Sequence, residues 1–382
     1  MEQSVKAADI LEVRHVTNYY AGTGTSLLPG RHRHRVLNDV SLTIHNDEFF
    51  GLVGESGSGK STLANCILGL IPYEGEIFVA GKPSPYNNKH RTREQVLEYT
   101  RNVQAIFQDP LSALDPGKTI SFTLQEPLKA HRRYLAEKGI IRNREDREKR
   151  VREVLSLCDL DPSYADRRPG GLSGGQRQRV CIAASLMLSP PLILADEAIS
   201  ALDVSVGSQI LNLFRDIDEK ADFAMLFISH NLNVVYYLCD RIAVLFNGQI
   251  VEQGDSEQLY SDPKHPYTQL LLSAVPGLGK SGTENGQDTG AANAGETKTS
   301  GGAENAGKAG TEGKTEGPGK AEDPRSAEAG EAQADAEEDG CPYAARCPKA
   351  TAACREKIPL KDISVRQADG TVKEHLVRCV LA

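Results

Sequence analysis

The sequence lacks any apolar run that approaches the roughly 20 residues needed to cross a lipid bilayer. Its N-terminus also lacks the apolar segment of a secretory signal. These two absences argue against an integral membrane protein and against a secreted one. We therefore expect a cytosolic protein whose contact with a membrane is made through partner proteins.

Aromatic and β-branched aliphatic side chains are missing from residues 281–340. Such a segment cannot bury enough apolar surface to offset the entropy of ordering, so we predict a disordered Gly/Ala-rich linker over 278–340. Residues 281–340 hold 14 Asp/Glu and 5 Lys/Arg, which accounts for the net charge of −8 and leaves the remainder near +1. A near-neutral remainder gives no reason to expect a nucleic-acid partner.

The rest of the chain has the pattern of an α/β protein. Alternating apolar residues predict half-buried strands, and continuous apolar runs predict strands buried in a parallel sheet. The half-buried strands are expected at 11–16 and 36–44, and the buried ones at 49–53, 191–195 and 224–228. Two further strands flank Asn247-Gly248, a two-residue hairpin turn. Between Gln108 and Leu172 the pattern becomes helical, and Val151, Val154, Leu155 and Cys158 share one helical face.

A glycine-rich loop lies between the apolar strand at 49–53 and a predicted helix. Its spacing is that of a phosphate-binding loop, whose backbone N–H groups cradle phosphates at a helix N-terminus. The loop comprises Gly54, Glu55, Ser56, Gly57, Ser58, Gly59, Lys60, Ser61 and Thr62. Lys60 can reach the β- and γ-phosphates, and the Ser61 hydroxyl can coordinate Mg²⁺. This segment predicts a nucleoside triphosphate site.

Two acidic residues follow the apolar strand at 191–195. Asp196 stands where a carboxylate can hold the Mg²⁺ shell, and Glu197 can orient or deprotonate an attacking water. Together with Ser173, Gly174, Gly175 and Gln176, these motifs resemble the nucleotide-binding domain of ABC ATPases over residues 10–277. The resemblance implies a P-loop α/β core, an N-terminal antiparallel β-subdomain and a helical subdomain at about 109–187. It implies ATP and Mg²⁺ as ligands.

The resemblance assigns roles to four more positions. Gln108 matches the glutamine that contacts Mg²⁺ and the γ-phosphate and whose loop also senses the membrane partner. His230 matches the histidine at the γ-phosphate, and Asp203 belongs to a loop along the dimer interface. Tyr20 matches the aromatic residue that stacks on adenine, although the neighbouring Tyr19 could serve instead.

The resemblance also implies a mechanism in which two such domains enclose two ATP molecules. Ser173 and Gly175 would bind the γ-phosphate held by the partner's phosphate loop, and hydrolysis would open the pair. The sequence departs from the family at Ala198-Ile199 and at Ala184-Ser185. Neither departure removes a catalytic atom, so we expect activity, and we expect any effect of these residues to be on strand-end geometry or rate.

Four of the eight cysteines are scattered among apolar neighbours and are expected in the core. The other four, Cys341, Cys347, Cys354 and Cys379, lie in a segment, 341–382, expected to form a small module. Thiolates in a cytosolic module favour metal over disulfides. The gaps exceed the two to four residues usual in zinc sites, and the Cys-Pro pairs are typical of cluster-binding loops, so a [4Fe–4S] cluster is favoured. Zn²⁺ and the absence of any metal stay open.

The tail resembles that of ATPase subunits from oligopeptide and dipeptide importers, on His265-Pro266-Tyr267-Thr268 and the cysteine extension. This implies two transmembrane permease subunits, a second ATPase subunit (a paralogue or a second copy), and indirectly an extracytoplasmic solute-binding protein. The chain would be peripheral, on the cytoplasmic face of the plasma membrane. Two alternatives stay open: a soluble ABC ATPase acting on DNA or ribosomes, and an importer subunit for nickel or another small solute.

Overall fold

The computed structural model describes residues 9–21, 33–87, 90–274, 340–367 and 371–382. The predicted linker lies outside these ranges except at residue 340 and stays a prediction. Among the described residues, no helix combines the length and apolar character needed to cross a membrane.

The strands of the described residues form three sheets. They are β1 Asp9–Ala21, β2 Arg33–His45, β3 Phe49–Val53, β4 Glu74–Val79, β5 Lys82–Pro83, β6 Val103–Ile106, β7 Leu192–Asp196, β8 Ala224–Ser229, β9 Arg241–Phe246, β10 Gln249–Asp255, β11 Lys361–Asp362, β12 Val365–Arg366, β13 Val372–Lys373 and β14 His375–Val377.

The helices lie mainly between the strands of the largest sheet. They are α1 Lys60–Ile67, α2 Arg93–Asn102, α3 Pro110–Ala113, α4 Ile120–Ala130, α5 Arg132–Glu137, α6 Arg144–Leu157, α7 Gly174–Leu186, α8 Val204–Asp218, α9 Leu232–Leu238, α10 Ser256–Ser261 and α11 Pro266–Ser273.

A four-stranded antiparallel sheet has the order β2-β1-β4-β5. Leu11, Val13 and Val16 of β1 are buried, as their alternation predicts, and Leu11 pairs with Ile44 of β2. The apolar face of this sheet joins the same core cluster as Phe50 and Leu52 of β3. The two strands predicted at 11–16 and 36–44 therefore fall within β1 and β2.

The main sheet has the order β11-β14-β10-β9-β3-β8-β7-β6. Its strands from β9 to β6 run parallel, and β3 and β8 are buried throughout. This burial on both faces explains their continuously apolar sequences. The phosphate loop follows β3, Glu197 follows β7 and His230 follows β8. Because parallel strands end at one edge of a sheet, the polar segments meet there.

The hairpin and the helical region agree with the sequence. Asn247 and Gly248 both have positive φ, at 42° and 75°, as a two-residue turn between β9 and β10 requires. Helices α3 to α7 occupy residues 110–186, and the predicted apolar face of α6, with Val154 and Leu155 fully buried, packs into the core.

The C-terminal segment, residues 340–382, shares the main sheet instead of folding apart. Strand β14 pairs antiparallel with β10, with Glu252 opposite Val377, and β11 pairs with β14. The sequence predicts a small module over residues 341–382, and β14 joins that segment to the core. It satisfies the backbone groups of β10, which would otherwise form an open sheet edge.

A buried carboxylate, that of Glu252, stabilises the pairing of the C-terminal segment with the main sheet. Glu252 is inaccessible to solvent and accepts backbone N–H bonds from Lys264 and His265, at 2.7 and 3.0 Å. Its Oε1 also lies 2.7 Å from Nε2 of His375 in β14, which is equally buried. Since buried polar groups are costly to leave without partners, this network links the C-terminal segment to the core.

We expect Glu252→Ala to lower the free energy of unfolding by about 3–5 kcal/mol, because it leaves several buried groups unpaired. Urea denaturation of the full chain measures this. Glu257→Ala is the matched control, because Glu257 also pairs with the C-terminal segment, through Lys373, but in an exposed position. Glu257→Ala should leave stability nearly unchanged, and equal losses in the two variants would contradict the assigned role of Glu252.

Candidate nucleotide-binding site

The phosphate loop is held tightly against its neighbours. A Cβ atom at Gly54 would lie 2.1 Å from the carbonyl oxygen of Leu245, so no larger residue fits. Gly57 adopts a φ of +80°, which other residues rarely tolerate. The loop also receives an N–H bond of 2.8 Å from Gly248 at the carbonyl of Ser58. The β9–β10 hairpin therefore supports the loop.

Lys60 occupies the first position of α1 and is almost fully buried. Its Nζ donates to the carbonyl oxygens of Gly54 at 2.8 Å and Glu55 at 2.9 Å. Burial lowers the pKa of Lys60, while the charges of Glu197 and Asp196 oppose that shift. The ammonium group thus lies inside the turn of the loop, next to the positive end of α1.

Ser61 and Asp196, two of the residues assigned to Mg²⁺ from the sequence, are in direct contact. The Ser61 hydroxyl donates to Oδ1 of Asp196 across 3.3 Å. The pKa of Asp196 is raised above its ordinary value, and burial is the main cause. The Ser61 hydrogen bond opposes this shift, the charge of Glu197 adds to it and the charge of Lys60 opposes it. A hydroxyl and a carboxylate beside a phosphate site are hard oxygen ligands that suit Mg²⁺.

Glu197 faces His230 across the end of the sheet. Its carboxylate oxygens lie 2.8 and 2.9 Å from Nδ1 of His230, and its side chain is only 16% exposed. Glu197 has a left-handed φ of 51°, held by its N–H bond to Ile228 and by the Ser200 hydroxyl on its carbonyl. Such strain is common where a functional side chain must be aimed. Ala198, the departure next to it, is buried in the core.

Gln108 and Tyr20 lie at the periphery of this group. Gln108 is exposed just after β6, whose Ile106 pairs with Ala195, so it shares the strand-end edge with Asp196. Tyr20 is 45% exposed near the end of β1. The loop residue Gly59 lies against Leu37 of β2, and Leu37 pairs with Asn18, two residues before Tyr20 in β1.

The turn with Ser173, Gly174, Gly175 and Gln176 forms the N-terminus of α7. Ser173 and Gln176 form a reciprocal capping box, with N–H bonds of 3.3 and 3.0 Å. A Cβ at Gly175 would lie 2.6 Å from Val206 in α8, whose N-cap is Asp203. In the described ranges no hydrogen bond joins this turn to the phosphate loop. The predicted site residues therefore form two groups, one around Lys60 and one around Ser173.

The cysteines of the C-terminal segment converge. Cys341, Cys347, Cys354 and Cys379 all line one cavity of about 10 Å³, and Cys341 Sγ lies 3.5 Å from Nε2 of His265. Over the described residues, no three His, Cys, Asp or Glu side chains are arranged to hold a metal ion. The four scattered cysteines are buried as expected; they are Cys66, Cys158, Cys181 and Cys239.

Sequence reasoning missed two residues at the phosphate loop. Tyr267 accepts the Glu55 N–H at 3.0 Å, and Arg346 pairs with the Glu55 carboxylate at 3.0 and 3.2 Å. They lie 212 and 291 positions away along the chain. The sequence pattern at either residue contains no signal of this contact, although Tyr267 belongs to the quoted tail motif.

Comparison with known proteins agrees with this geometry. Residues 37–200 match the "ABC transporter" family, and residues 251–302 and 315–354 match "Oligopeptide/dipeptide transporter, C-terminal region". Among solved structures, the ATP-binding cassette MJ0796, a dimer bound to ADP and Pi, is 29% identical with a TM-score of 0.53. That match covers 64% of this chain and 98% of the other.

Two curated relatives are similar over most of their length. The oligopeptide transport ATP-binding protein AppF of Bacillus subtilis is 39% identical, covering 72% of this chain and 80% of the relative. The dipeptide transport ATP-binding protein DppF of Lactococcus lactis is 42% identical over 63% of this chain and 75% of the relative. The chain therefore belongs to the family of oligopeptide- and dipeptide-type ABC transporter ATP-binding proteins and is an ATPase.

Proposed function

We propose that this chain is the ATP-hydrolysing subunit that powers import of oligopeptides or dipeptides through an ABC transporter. The observation that carries the proposal is the assembly of Lys60, the Ser61–Asp196 pair and the Glu197–His230 pair at one edge of the main sheet. The names of the relatives supply the substrate class. Family membership weighs against an action on DNA or ribosomes, and import of nickel or another small solute is the remaining alternative.

Each residue of the phosphate-loop group has a role in this proposal. Lys60 and the loop N–H groups bind the β- and γ-phosphates, and Ser61, Asp196 and Gln108 would hold Mg²⁺, which would neutralise phosphate charge. Glu197 orients or deprotonates the attacking water, and His230 both positions that carboxylate and contacts the γ-phosphate. Tyr20 stacks on the adenine.

The second group acts on another subunit's nucleotide. Among the residues that the structure describes, no hydrogen bond joins the phosphate loop to the capped N-terminus of α7, with Ser173, Gly174, Gly175 and Gln176. A helix N-terminus is suited to a phosphate. We infer that this turn, beside the Asp203 loop, closes on ATP held by a second ATPase subunit, either a paralogue or another copy. ATP binding would then close the dimer and hydrolysis would open it.

The remaining partners follow from the transporter context. We propose two transmembrane permease subunits, sensed through the exposed Gln108 loop, and an extracytoplasmic solute-binding protein that acts indirectly. The protein would then sit peripherally on the cytoplasmic face of the plasma membrane. We also propose three chain regions, namely an ATPase domain at 10–277, a tether at 278–340 and a cysteine segment at 341–382.

The cysteine segment is proposed to hold a [4Fe–4S] cluster. Four thiols around one cavity match the ligand set of such a cluster. Tetrahedral zinc is the weaker alternative, because zinc sites usually pair cysteines separated by two to four residues and the gaps between these cysteines are longer. When bound, a cluster would cross-link the segment. Cys354 and Cys379 are buried, as is Ile358 beside them, while Cys341 and Cys347 are partly exposed.

Transport tests the substrate class. The chain, co-expressed and purified with its permease subunits and reconstituted in vesicles with the binding protein, should import a labelled oligopeptide or dipeptide only with ATP. Lys60→Ala, which removes the phosphate-binding ammonium, is the inactive control. Uptake of nickel chelates with no uptake of peptides would replace the proposal by its alternative.

Glu197→Gln should reduce ATP turnover by about 100-fold or more, because the amide cannot accept a proton. It should leave ATP binding intact and accumulate the closed dimer, as measured by hydrolysis rate and by size-exclusion chromatography with ATP. Glu219→Gln, an exposed carboxylate at the end of α8, should behave as wild type. Undiminished turnover in Glu197→Gln would refute the assigned role.

Protein purified without oxygen should absorb near 400 nm, and elemental analysis should find about four iron atoms per chain. Cys354→Ser should lose both signals, because it removes one ligand of the cavity. Cys181→Ala changes a buried cysteine outside the cavity and should keep them. Zinc without iron, or no metal in wild type, would count against the cluster.

A further inference from the structure

The C-terminal segment touches the phosphate loop directly. Arg346, the neighbour of Cys347, directs both terminal nitrogens at the Glu55 carboxylate, with Nη1–Oε2 at 3.0 Å and Nη2–Oε1 at 3.2 Å. A two-pronged pair of this kind fixes the orientation of both side chains as well as their separation. The pair joins the phosphate loop to the cysteine segment. Neither the roles assigned in the nucleotide site nor the cysteine cavity requires this contact.

Glu55 is bound from three directions. Its N–H donates to the Tyr267 hydroxyl at 3.0 Å, its carbonyl accepts from Lys60 Nζ at 2.9 Å, and its carboxylate holds Arg346. The residue that receives Arg346 is therefore the residue whose carbonyl holds the phosphate-binding ammonium. A shift of the Glu55 side chain would be transmitted through one residue to Lys60.

Arg346 is itself held in place by aromatic rings. Its guanidinium carbon lies 5.5 Å from the ring centre of Phe246 and 5.8 Å from that of Tyr343. Tyr343 packs edge-on against Phe246 at 5.3 Å and lies 5.4 Å from Tyr267. These rings connect the segment to the end of β9, just before the Asn247-Gly248 turn that supports the loop.

We propose that Arg346 is a positioning residue for the phosphate loop, holding Glu55 so that the loop and Lys60 are preorganised for the nucleotide. The proposal rests on ATP binding at this loop. It makes the nucleotide affinity of the ATPase dependent on the placement of the cysteine segment. The side chains of the pair are partly exposed, that of Arg346 by 54% and that of Glu55 by 40%. We therefore expect the pair to contribute modestly to nucleotide affinity.

Binding of the N-methylanthraniloyl derivative of ATP to the full-length chain tests this. Arg346→Met should raise the Kd by about two- to fivefold, the range expected for a partly exposed pair. Glu55→Gln should also raise it. A simple effect of charge on an anionic ligand predicts opposite results, with weaker binding for Arg346→Met and tighter binding for Glu55→Gln. Tighter or unchanged binding in Glu55→Gln would overturn the proposal.

Three further variants complete the experiment. The double variant Arg346→Met/Glu55→Gln should have the same Kd as the single variants, because either substitution alone already removes the interaction between the two side chains. Additive losses of affinity would count against coupling. Arg346→Lys keeps the positive charge but loses the two-pronged contact with the Glu55 carboxylate, and it should bind the nucleotide with intermediate affinity. Wild-type affinity in this variant would mean that charge alone matters. Arg355→Met alters an exposed arginine next to Cys354 and should bind as wild type.

Two controls separate this proposal from the function on which it rests. Lys60→Ala should abolish binding, and if it does not, the ATP site itself is misassigned. If Lys60→Ala abolishes binding while Arg346→Met has no effect, only the positioning role fails. In the assembled transporter, Arg346→Met should raise the KM for ATP and leave kcat unchanged, whereas a general structural defect would lower kcat.

Discussion

The buried ammonium group of Lys60 is the interaction on which the site depends. It is almost removed from solvent, and two carbonyl oxygens of its own loop together with the charges of Asp196 and Glu197 compensate for that. The order β3-β8-β7 brings those acids to the loop. An ammonium group has a third N–H besides the two that the loop carbonyls engage, and that donor stays available to an incoming triphosphate.

Much of this arrangement can be predicted from local sequence patterns. The phosphate loop and the acids after β7 follow continuously apolar strands, and burial on both faces explains why those runs are recognisable. The turn at Asn247-Gly248 is likewise a local signal. The approach of Arg346 and Tyr267 to Glu55 was not predictable, because it depends on packing between distant parts of the chain.

The pairing of the C-terminal segment with the main sheet could not be predicted from the sequence for a similar reason. Strand β14 has three residues and no alternation long enough to mark it, so its pairing with β10 is set by tertiary contacts. The buried Glu252–His375 contact gives that pairing a specific register. Beside the departure at Ala198, backbone bonds between Glu197 and Ile228 and between Ser200 and Glu197 hold the strand end.

The pairing of β14 with β10 also bears on how the chain is made. Residues 249–255 leave the ribosome more than 100 positions before residues 375–377. During that interval β10 has no partner on its outer side, and an unpaired edge invites association with other chains. The main sheet is therefore completed only after residues 375–377 have been made, and a translation product that ends within residues 278–340 would carry the phosphate loop beside an open sheet edge.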